Sequence, residues 1–263
     1  MSSSILVESG VPQGGVLSGT LFSLYINDLP NVFQTCKVSL YADDAKIYAP
    51  INNDKSIQAV QNDIDKLANW CKKWRLNLNP GKCFQLQYNP RSTERAYHPV
   101  YTIDGHTIER RSEGKDLGVM INEDLKFHKH VNKISDRCNK EINRIRRSFT
   151  TRTPTFLTDM YKLYVRPHME YCVEMWNPGY QGDKKKLELV QNKMTRLLNL
   201  GHQMRPEERN TMMGLTSHEN RRKRGDMIAT FKNFDNPNLF EIRTSSRTRG
   251  NDKTRMMTVA RIR

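Results

Sequence analysis

Hydrophobic residues alternate with polar residues in short stretches of the first half of the chain, a pattern typical of β-strands. Two such stretches flank Asp43 and Asp44, and we predict a β-hairpin with these two carboxylates at its tip. Between residues 54 and 74 the apolar residues instead recur every three or four positions, which predicts an amphipathic helix capped by Asp54 or Ser56. A helix is also predicted over residues 16–29, further strands at residues 76–78, 84–88 and 117–121, and a second hairpin over residues 100–108 around Asp104 and Gly105.

The second half of the chain has helical spacing almost throughout. Between residues 127 and 149, an apolar stripe and a basic stripe share one period but lie on different faces of a predicted helix. Thr153 followed by Pro154 predicts the start of a second helix, and Asp183 is predicted to cap a third. The basic tail after residue 240 is predicted to be disordered in isolation. The basic stripe consists of Lys129, Lys133, Arg137, Lys140, Arg144 and Arg147.

The charge of the chain is strongly unbalanced. Its 263 residues include 43 Lys and Arg against 28 Asp and Glu, a formal net charge of +15. Such an excess favours a polyanionic partner, of which nucleic acid is the commonest, although charge also simply keeps a protein soluble. The mean hydropathy is −0.75 and no apolar run is long enough to cross a bilayer, so we expect a soluble protein without membrane association.

The cysteines and the first residues bear on the cellular compartment. The five cysteines are widely spaced and form no Cys-x-x-Cys pair, which favours reduced thiols over a disulfide framework or a zinc site. The first seven residues have neither the basic region nor the apolar core of a secretory signal. We therefore expect an intracellular protein, in either the nucleus or the cytoplasm.

Adjacent carboxylates at a hairpin tip suit a divalent metal ion. Mg²⁺ takes oxygen ligands and is usually held by one or two carboxylates together with substrate phosphates, as in two-metal phosphoryl transfer. Asp43 and Asp44 therefore form a candidate metal site, although two aspartates are also common in polar turns. The glycine-rich loop at residues 10–15 would let the backbone approach a ligand or merely turn the chain. The basic stripe would contact phosphates or remain a solvated face.

In chain order, these segments resemble the motifs of a known polymerase family. The sequence Gly-Val-Pro-Gln-Gly at residues 10–14, followed by Tyr-Ala-Asp-Asp at residues 41–44, looks like motifs B and C of reverse transcriptases from LINE-type, non-LTR retroelements. Residues 74–82 resemble motif D, and residues 116–120 resemble motif E, the primer grip. Residues 164–176 resemble part of the thumb of jockey-like elements.

The resemblance implies a right-hand polymerase architecture with an α+β fold. A partial palm of antiparallel hairpins packed with helices would occupy residues 1–124. An all-helical thumb would follow at residues 125–240, and a basic tail at residues 241–263. The implied activity is that of an RNA-directed DNA polymerase, which acts on an RNA template, a DNA primer and deoxynucleotides with Mg²⁺ or Mn²⁺ as its cofactor.

The resemblance also implies roles for individual residues. Asp43 would bind the catalytic metals with Asp44 beside it, and Lys82 matches the motif D lysine, a proposed proton donor to the leaving pyrophosphate. The basic stripe would follow the nucleic-acid backbone. The nucleotide and template pocket would be lined by Pro12, Gln13, Gly14, Tyr41 and Ala42, and the primer grip would be formed by Leu117, Gly118 and Val119.

The sequence departs from the family pattern at several positions. Motif A, which carries the first metal-binding aspartate, lies upstream of the glycine-rich loop in the family, whereas nine residues precede that loop here and none is aspartate. Gly15 and Gly19 stand where the family usually has serine and proline. We therefore expect a truncated or decayed copy, or an incomplete gene model. Such a chain would be inactive alone, and its palm sheet would have an unpaired edge beside the catalytic hairpin.

Two other interpretations remain open. The chain could be a non-catalytic nucleic-acid-binding remnant that uses only the basic thumb and tail, and the sequence does not separate this from a polymerase fragment because both keep the same residues. A different palm-fold enzyme, such as a nucleotide cyclase, would also carry metal-binding acids on a hairpin. The thumb-like segment at residues 125–200 argues against that enzyme.

Overall fold

The computed structural model describes residues 14–88, 98–199 and 202–233, together with the backbone of residues 255–261. Helices and small sheets are both present, as the sequence predicts. Within these described ranges, no helix is both long enough and apolar enough to cross a membrane.

The described residues group into two compact units. The first, here called the α/β unit, comprises the described residues within 1–114, 122–124 and 249–263. The second, here called the helical unit, comprises those within 115–121 and 125–248. The segment at 115–121 thus groups with the helices that follow it, whereas the last strand of the chain groups with the sheet.

Strands form one larger sheet and two small ones. The larger sheet has five strands in the order β1-β2-β9-β3-β6, and the pairs β4-β5 and β7-β8 form the small sheets. In chain order the strands are β1 (Lys37–Tyr41), β2 (Asp44–Pro50), β3 (Phe84–Tyr88), β4 (Thr102–Ile103), β5 (His106–Thr107), β6 (Glu109–Arg110), β7 (Glu113–Asp116), β8 (Val119–Asn122) and β9 (Arg255–Arg261).

Helices occur in both units and dominate the helical unit. Two 3₁₀ turns lie at Leu29–Val32 and Pro80–Lys82, and a π-helical turn lies at Tyr161–Val165. The α-helices are α1 (Ser18–Tyr25), α2 (Asp54–Lys73), α3 (His128–Ser148), α4 (Pro154–Met160), α5 (Arg166–Glu170), α6 (Val173–Trp176), α7 (Gln181–Thr195), α8 (Pro206–Met212) and α9 (His218–Asn233).

The core of the α/β unit forms where β2 meets α2. Alternate residues of β2 (Ala45, Ile47 and Ala49) are buried in one apolar cluster with residues of α2 that follow helical spacing. The predicted hairpin and the predicted helix are both confirmed. The cap of α2 differs from the prediction, because Asn53 accepts a hydrogen bond from the N–H of Ser56 (2.8 Å), and the Ser56 hydroxyl accepts one from the N–H of Asn53 (3.2 Å).

Two predictions for the α/β unit are wrong in part. The helix predicted over residues 16–29 spans only Ser18–Tyr25, and none of its residues is buried. Its apolar residues Leu21 and Leu24 remain 49% and 68% exposed, because a helical period predicts a helix but does not provide a surface to cover it. The strand predicted at residues 76–78 is absent from this described segment, where the chain instead enters the 3₁₀ turn at Pro80–Lys82.

The end of the chain contradicts the prediction of a disordered tail. Residues 255–261 form β9, which pairs antiparallel with β2 over seven residues and with β3 over five. The edge of β2 that was expected to lie unpaired is therefore covered. Backbone groups make these pairings, so a basic composition does not prevent them once two strand edges are available. The rest of the predicted tail lies outside the described residues.

The first helix of the helical unit is α3, whose apolar face is buried along its whole length from Val131 to Ile145. The predicted start of the second helix is confirmed, since Thr153 caps α4 by accepting from the N–H of Phe156 (3.4 Å). The predicted cap of the third helix is wrong. α7 begins two residues before Asp183, and this buried side chain instead contacts His128 and Lys186.

The central position of β9 leads to a stability prediction. Val259 pairs with Lys46 on one side and Phe84 on the other, and proline has no N–H to donate to either neighbour. We expect Val259→Pro to lower the free energy of unfolding by about 1–3 kcal/mol more than Val259→Ala, which keeps the N–H. Urea unfolding followed by circular dichroism measures both variants. Equal losses for the two variants would show that this strand pairing does not stabilise the protein.

Candidate functional site

The hairpin formed by β1 and β2 carries the candidate metal-binding residues at its tip. Tyr41 pairs with Asp44, so Ala42 and Asp43 form a two-residue turn. Ala42 has a φ of +50°, in the left-handed region that short hairpin turns require. Asp43 is exposed and Asp44 is half-buried. The two carboxylates thus follow one another at a solvent-accessible end of the sheet.

The local fold of this hairpin follows from the alternation along β2. Since Ala45 and Ile47 point into the core, Asp44 and Lys46 belong to the opposite face of the strand. A slip of one residue would bury these charged side chains and expose the apolar ones. The register that places Asp43 in the turn is therefore strongly determined.

Lys82 lies at the same end of the sheet as the two aspartates. β2 and β3 both run antiparallel to β9, and Lys46 and Phe84 both pair with Val259. Asp44 lies two residues before Lys46, and Lys82 lies two residues before Phe84. Both residues therefore lie at a similar height along the strand direction of the sheet. One strand separates β2 from β3, so their axes are about 10 Å apart.

The predicted nucleotide and template pocket is described only in part. Tyr41 is 67% exposed and, with Ala42, lies beside Asp43 on the hairpin. Gly14 has a φ of +83°, a conformation that glycine adopts without steric penalty. The remaining two predicted residues, Pro12 and Gln13, lie outside the described residues.

The donor atoms at the hairpin tip fit a hard divalent cation. Carboxylate oxygens are the ligands that Mg²⁺ takes in proteins, and one or two carboxylates are its usual protein ligands. Among the side chains that the structure describes, no group of three or more His, Cys, Asp or Glu residues could hold a metal ion. Asp43 and Asp44 therefore offer two carboxylates on one side of a site, and further ligands would have to come from elsewhere.

The predicted primer-grip residues lie at the turn of the β7-β8 hairpin. Leu117 and Gly118 form the turn with φ values of +41° and +91°, and Val119 begins β8. The continuous strand predicted over residues 117–121 is therefore wrong at its start. The tight turn arises because Gly118 tolerates a left-handed backbone that residues with a side chain rarely adopt.

Two residues that the sequence analysis did not single out hold this turn. The Tyr171 hydroxyl donates a hydrogen bond to the carbonyl oxygen of Leu117 (2.9 Å), and Nδ1 of His130 accepts one from the N–H of Met120 (3.1 Å). Tyr171 is 54 positions from Leu117 in the sequence. No local spacing signals such a contact.

All six residues of the basic stripe are exposed on α3. From Lys129 to Arg147 they extend over about 27 Å at 1.5 Å per residue. The buried residues of α3 lie on the opposite side of the helix, which confirms the prediction of two faces. Acidic residues are few but present: Glu141 pairs with Arg144 (3.1 Å), and Asp136 is exposed next to Arg137.

The comparisons with known proteins agree with these motifs. Residues 2–121 match the family model described as reverse transcriptase (RNA-dependent DNA polymerase). The chain is 26% identical over 209 residues to the RNA-directed DNA polymerase from mobile element jockey of Drosophila funebris, an alignment that covers 75% of this chain and 22% of the relative. The probable RNA-directed DNA polymerases from transposons BS and X-element of Drosophila melanogaster are 27% and 26% identical, over 73% of this chain and 22% of each relative.

These relatives are much longer than the chain, which spans about a fifth of their length. No solved structure matches the chain.

The environment of His130 leads to a prediction of pH dependence. Burial, with a smaller contribution from Lys133, lowers the pKa of His130 from 6.5 to about 4, so the ring is neutral near pH 7 and its Nδ1 can accept from Met120. Between pH 6.5 and 4 the unfolded chain binds a proton that the folded chain does not, so stability should fall as the pH falls through this range.

We expect His130→Asn, which keeps an acceptor but does not titrate, to reduce the loss of stability between pH 6.5 and pH 4. Some pH dependence should remain, since burial also lowers the pKa of His218 to about 4. Chemical denaturation at several pH values measures the effect, and His202→Asn, which removes an exposed imidazole of the same unit, is the control. A pH profile identical to that of the unmodified protein would contradict the prediction.

Proposed function

We propose that the chain is part of the RNA-directed DNA polymerase of a jockey-like, non-LTR retroelement, and that residues 2–121 are the part that shares the reverse transcriptase fold. The observation that carries the proposal is the Tyr-Ala-Asp-Asp sequence at the tip of the β1-β2 hairpin, with Asp43 exposed in the turn. Because the chain spans about a fifth of its relatives, the activity of the whole protein is part of this proposal.

In this proposal residues 1–124 are the palm and residues 125–240 are the thumb. Asp43 holds the metal ions and Asp44 supports the site. Mg²⁺ or Mn²⁺ held there would supply stabilisation of the charge on the reacting phosphates and activation of the attacking primer hydroxyl. Lys82, at the same end of the sheet, donates a proton to the leaving pyrophosphate.

The remaining predicted residues position the substrates. Pro12, Gln13, Gly14, Tyr41 and Ala42 line the pocket for the incoming deoxynucleotide and the template. The turn at residues 117–119 contacts the end of the DNA primer. The basic stripe of α3 contacts the phosphates of the duplex formed by the RNA template and the DNA primer, because exposed cations along a helix neutralise phosphates without reading base sequence.

A second candidate function is nucleic-acid binding without catalysis. The exposed basic stripe supports it, because phosphate contacts need no metal site. The two candidates differ in what they require of Asp43. Catalysis depends on this residue, whereas binding along α3 does not.

The basic stripe predicts salt-dependent binding of an RNA–DNA duplex. Changing Lys133, Arg137 and Lys140 to Glu should weaken binding and make the affinity less dependent on salt. On duplex B-DNA the logarithm of the affinity falls with the logarithm of the salt concentration with a slope of about −0.9 per phosphate contact. Fluorescence anisotropy of a labelled duplex at several salt concentrations measures both quantities.

The control for this experiment is a variant with the same change in net charge at other exposed positions. Lys37, Lys55 and Lys73 lie in or at the ends of elements of the α/β unit and are exposed. Changing these three to Glu should alter the affinity less and leave the slope nearer to that of the unmodified protein. If both triple variants behave alike, the stripe is only a solvated face.

The proposed metal site predicts dependence of catalysis on Asp43. A polypeptide of these 263 residues carries only one side of a two-metal site, so we expect it not to extend a primer on an RNA template with Mg²⁺ or Mn²⁺. Fusion of the upstream fingers and motif A segment of the jockey relative should restore extension. Asp43→Ala in the fusion should abolish it, as measured by extension of a labelled primer.

Asp65→Ala is the matched control, because it removes an exposed carboxylate that lies on α2 and not in the hairpin turn. Extension by the 263-residue polypeptide itself would contradict the expected incompleteness. Extension by the fusion that survives Asp43→Ala would refute the metal-binding role. The fusion should also be made without residues 255–263, so that β9 does not compete with the added strand for β2.

A further inference from the structure

The turn at residues 117–119 is held from outside the hairpin by an aromatic cluster of the helical unit. Tyr171, which follows α5, donates from its hydroxyl to the Leu117 carbonyl oxygen at 2.9 Å. Its ring also lies against Gly118, where a Cβ atom would be 3.2 Å from Cε1 of Tyr171. Tyr171 therefore contacts Leu117 through a hydrogen bond and lies against Gly118 with its ring.

The other side of the turn is held by α3. Nδ1 of His130 accepts a hydrogen bond from the N–H of Met120, one residue after the predicted primer grip. His130 is only 4% exposed, so little water is available to replace it as a partner. Leu117 and Met120 are thereby each joined to a side chain that comes from a different helix or loop.

Trp176 connects the backbone of Tyr171 to the side chain of His130. Its Nε1 donates to the Tyr171 carbonyl oxygen at 2.8 Å, and its ring meets the His130 ring edge to face, with centroids 5.0 Å apart. The Trp176 side chain is fully buried. A buried aromatic residue with its N–H satisfied has little freedom to move, so it restrains the backbone position of Tyr171 and the orientation of the His130 ring.

We infer that Tyr171 and His130 are positioning residues, which hold the turn at residues 117–119 in the conformation that contacts the primer end. This inference rests on the proposed function for the role of the turn, but not for the contacts themselves. Leu117 has a φ of +41°, and a residue with a side chain keeps such a backbone only where the surroundings determine it. The two hydrogen bonds provide that restraint without touching the primer.

Amide hydrogen exchange of the full chain tests the restraint directly. Tyr171→Phe keeps the ring and removes only the hydroxyl, and His130→Leu removes the acceptor for Met120. Each variant should speed exchange at residues 118–120 by about fivefold, the effect expected from one hydrogen bond. His130→Asn should restore the protection of the Met120 amide, because its side-chain oxygen can accept in place of Nδ1.

Duplex binding tests the link to the primer. Tyr171→Phe should weaken binding of an RNA–DNA duplex with a recessed DNA 3′ end by about fivefold and leave binding of a blunt duplex unchanged. Tyr164→Phe is the matched control, since it removes a hydroxyl from an exposed tyrosine in the preceding π-helical turn.

The outcomes separate this inference from the proposed function. If the unmodified chain binds the duplex but Tyr171→Phe matches Tyr164→Phe in both exchange and affinity, the inference is wrong and the proposed function stands. If the unmodified chain binds no duplex, the proposed role of the turn is refuted. The exchange rates then still decide whether Tyr171 and His130 hold the turn.

Discussion

The burial of alternate residues along β2 is the constraint on which the candidate site depends. Ala45, Ile47 and Ala49 share one core with α2, so β2 cannot shift by one residue without exposing them. That register pairs Asp44 with Tyr41 and leaves Asp43 in the exposed turn. The same register extends through β9 to β3 and sets the level of Lys82. Apolar residues that never contact a substrate thus determine where the proposed catalytic side chains lie.

The sequence predicts those elements whose determinants are local. The β1-β2 hairpin and the buried face of α3 follow from periods of two and about 3.6 residues, and both are present. β9 could not be predicted, because its partners precede it by most of the chain and its basic composition favours disorder. The contact between Tyr171 and Leu117 was missed for the same reason. The exposure of α1 has another cause, since periodicity predicts a helix but not its packing partner.

β9 also restricts how a further strand could join the proposed catalytic hairpin. A strand has two edges, and those of β2 are taken by β1 and β9 in the described structure. A strand that carried a partner aspartate beside β2 would therefore have to displace residues 255–261. Because Asp44 pairs with Arg261 at one end of this ladder, displacement would change the backbone surroundings of the carboxylates themselves. In the proposed polymerase, a partner strand that joined β2 directly would therefore require the release of β9.

α3 joins the two proposed nucleic-acid contacts in a single helix. One side of this helix carries the exposed basic stripe, and on the other side His130 binds the backbone next to the turn that we propose as the primer grip. A helix of 21 residues curves only gently, so a duplex held at the stripe would have a defined location relative to that turn. A flexible connection between the stripe and the turn would leave the primer end mobile after the phosphates had bound. Because the connection is a helix with a buried face, binding energy gained at the phosphates can align the primer end for reaction.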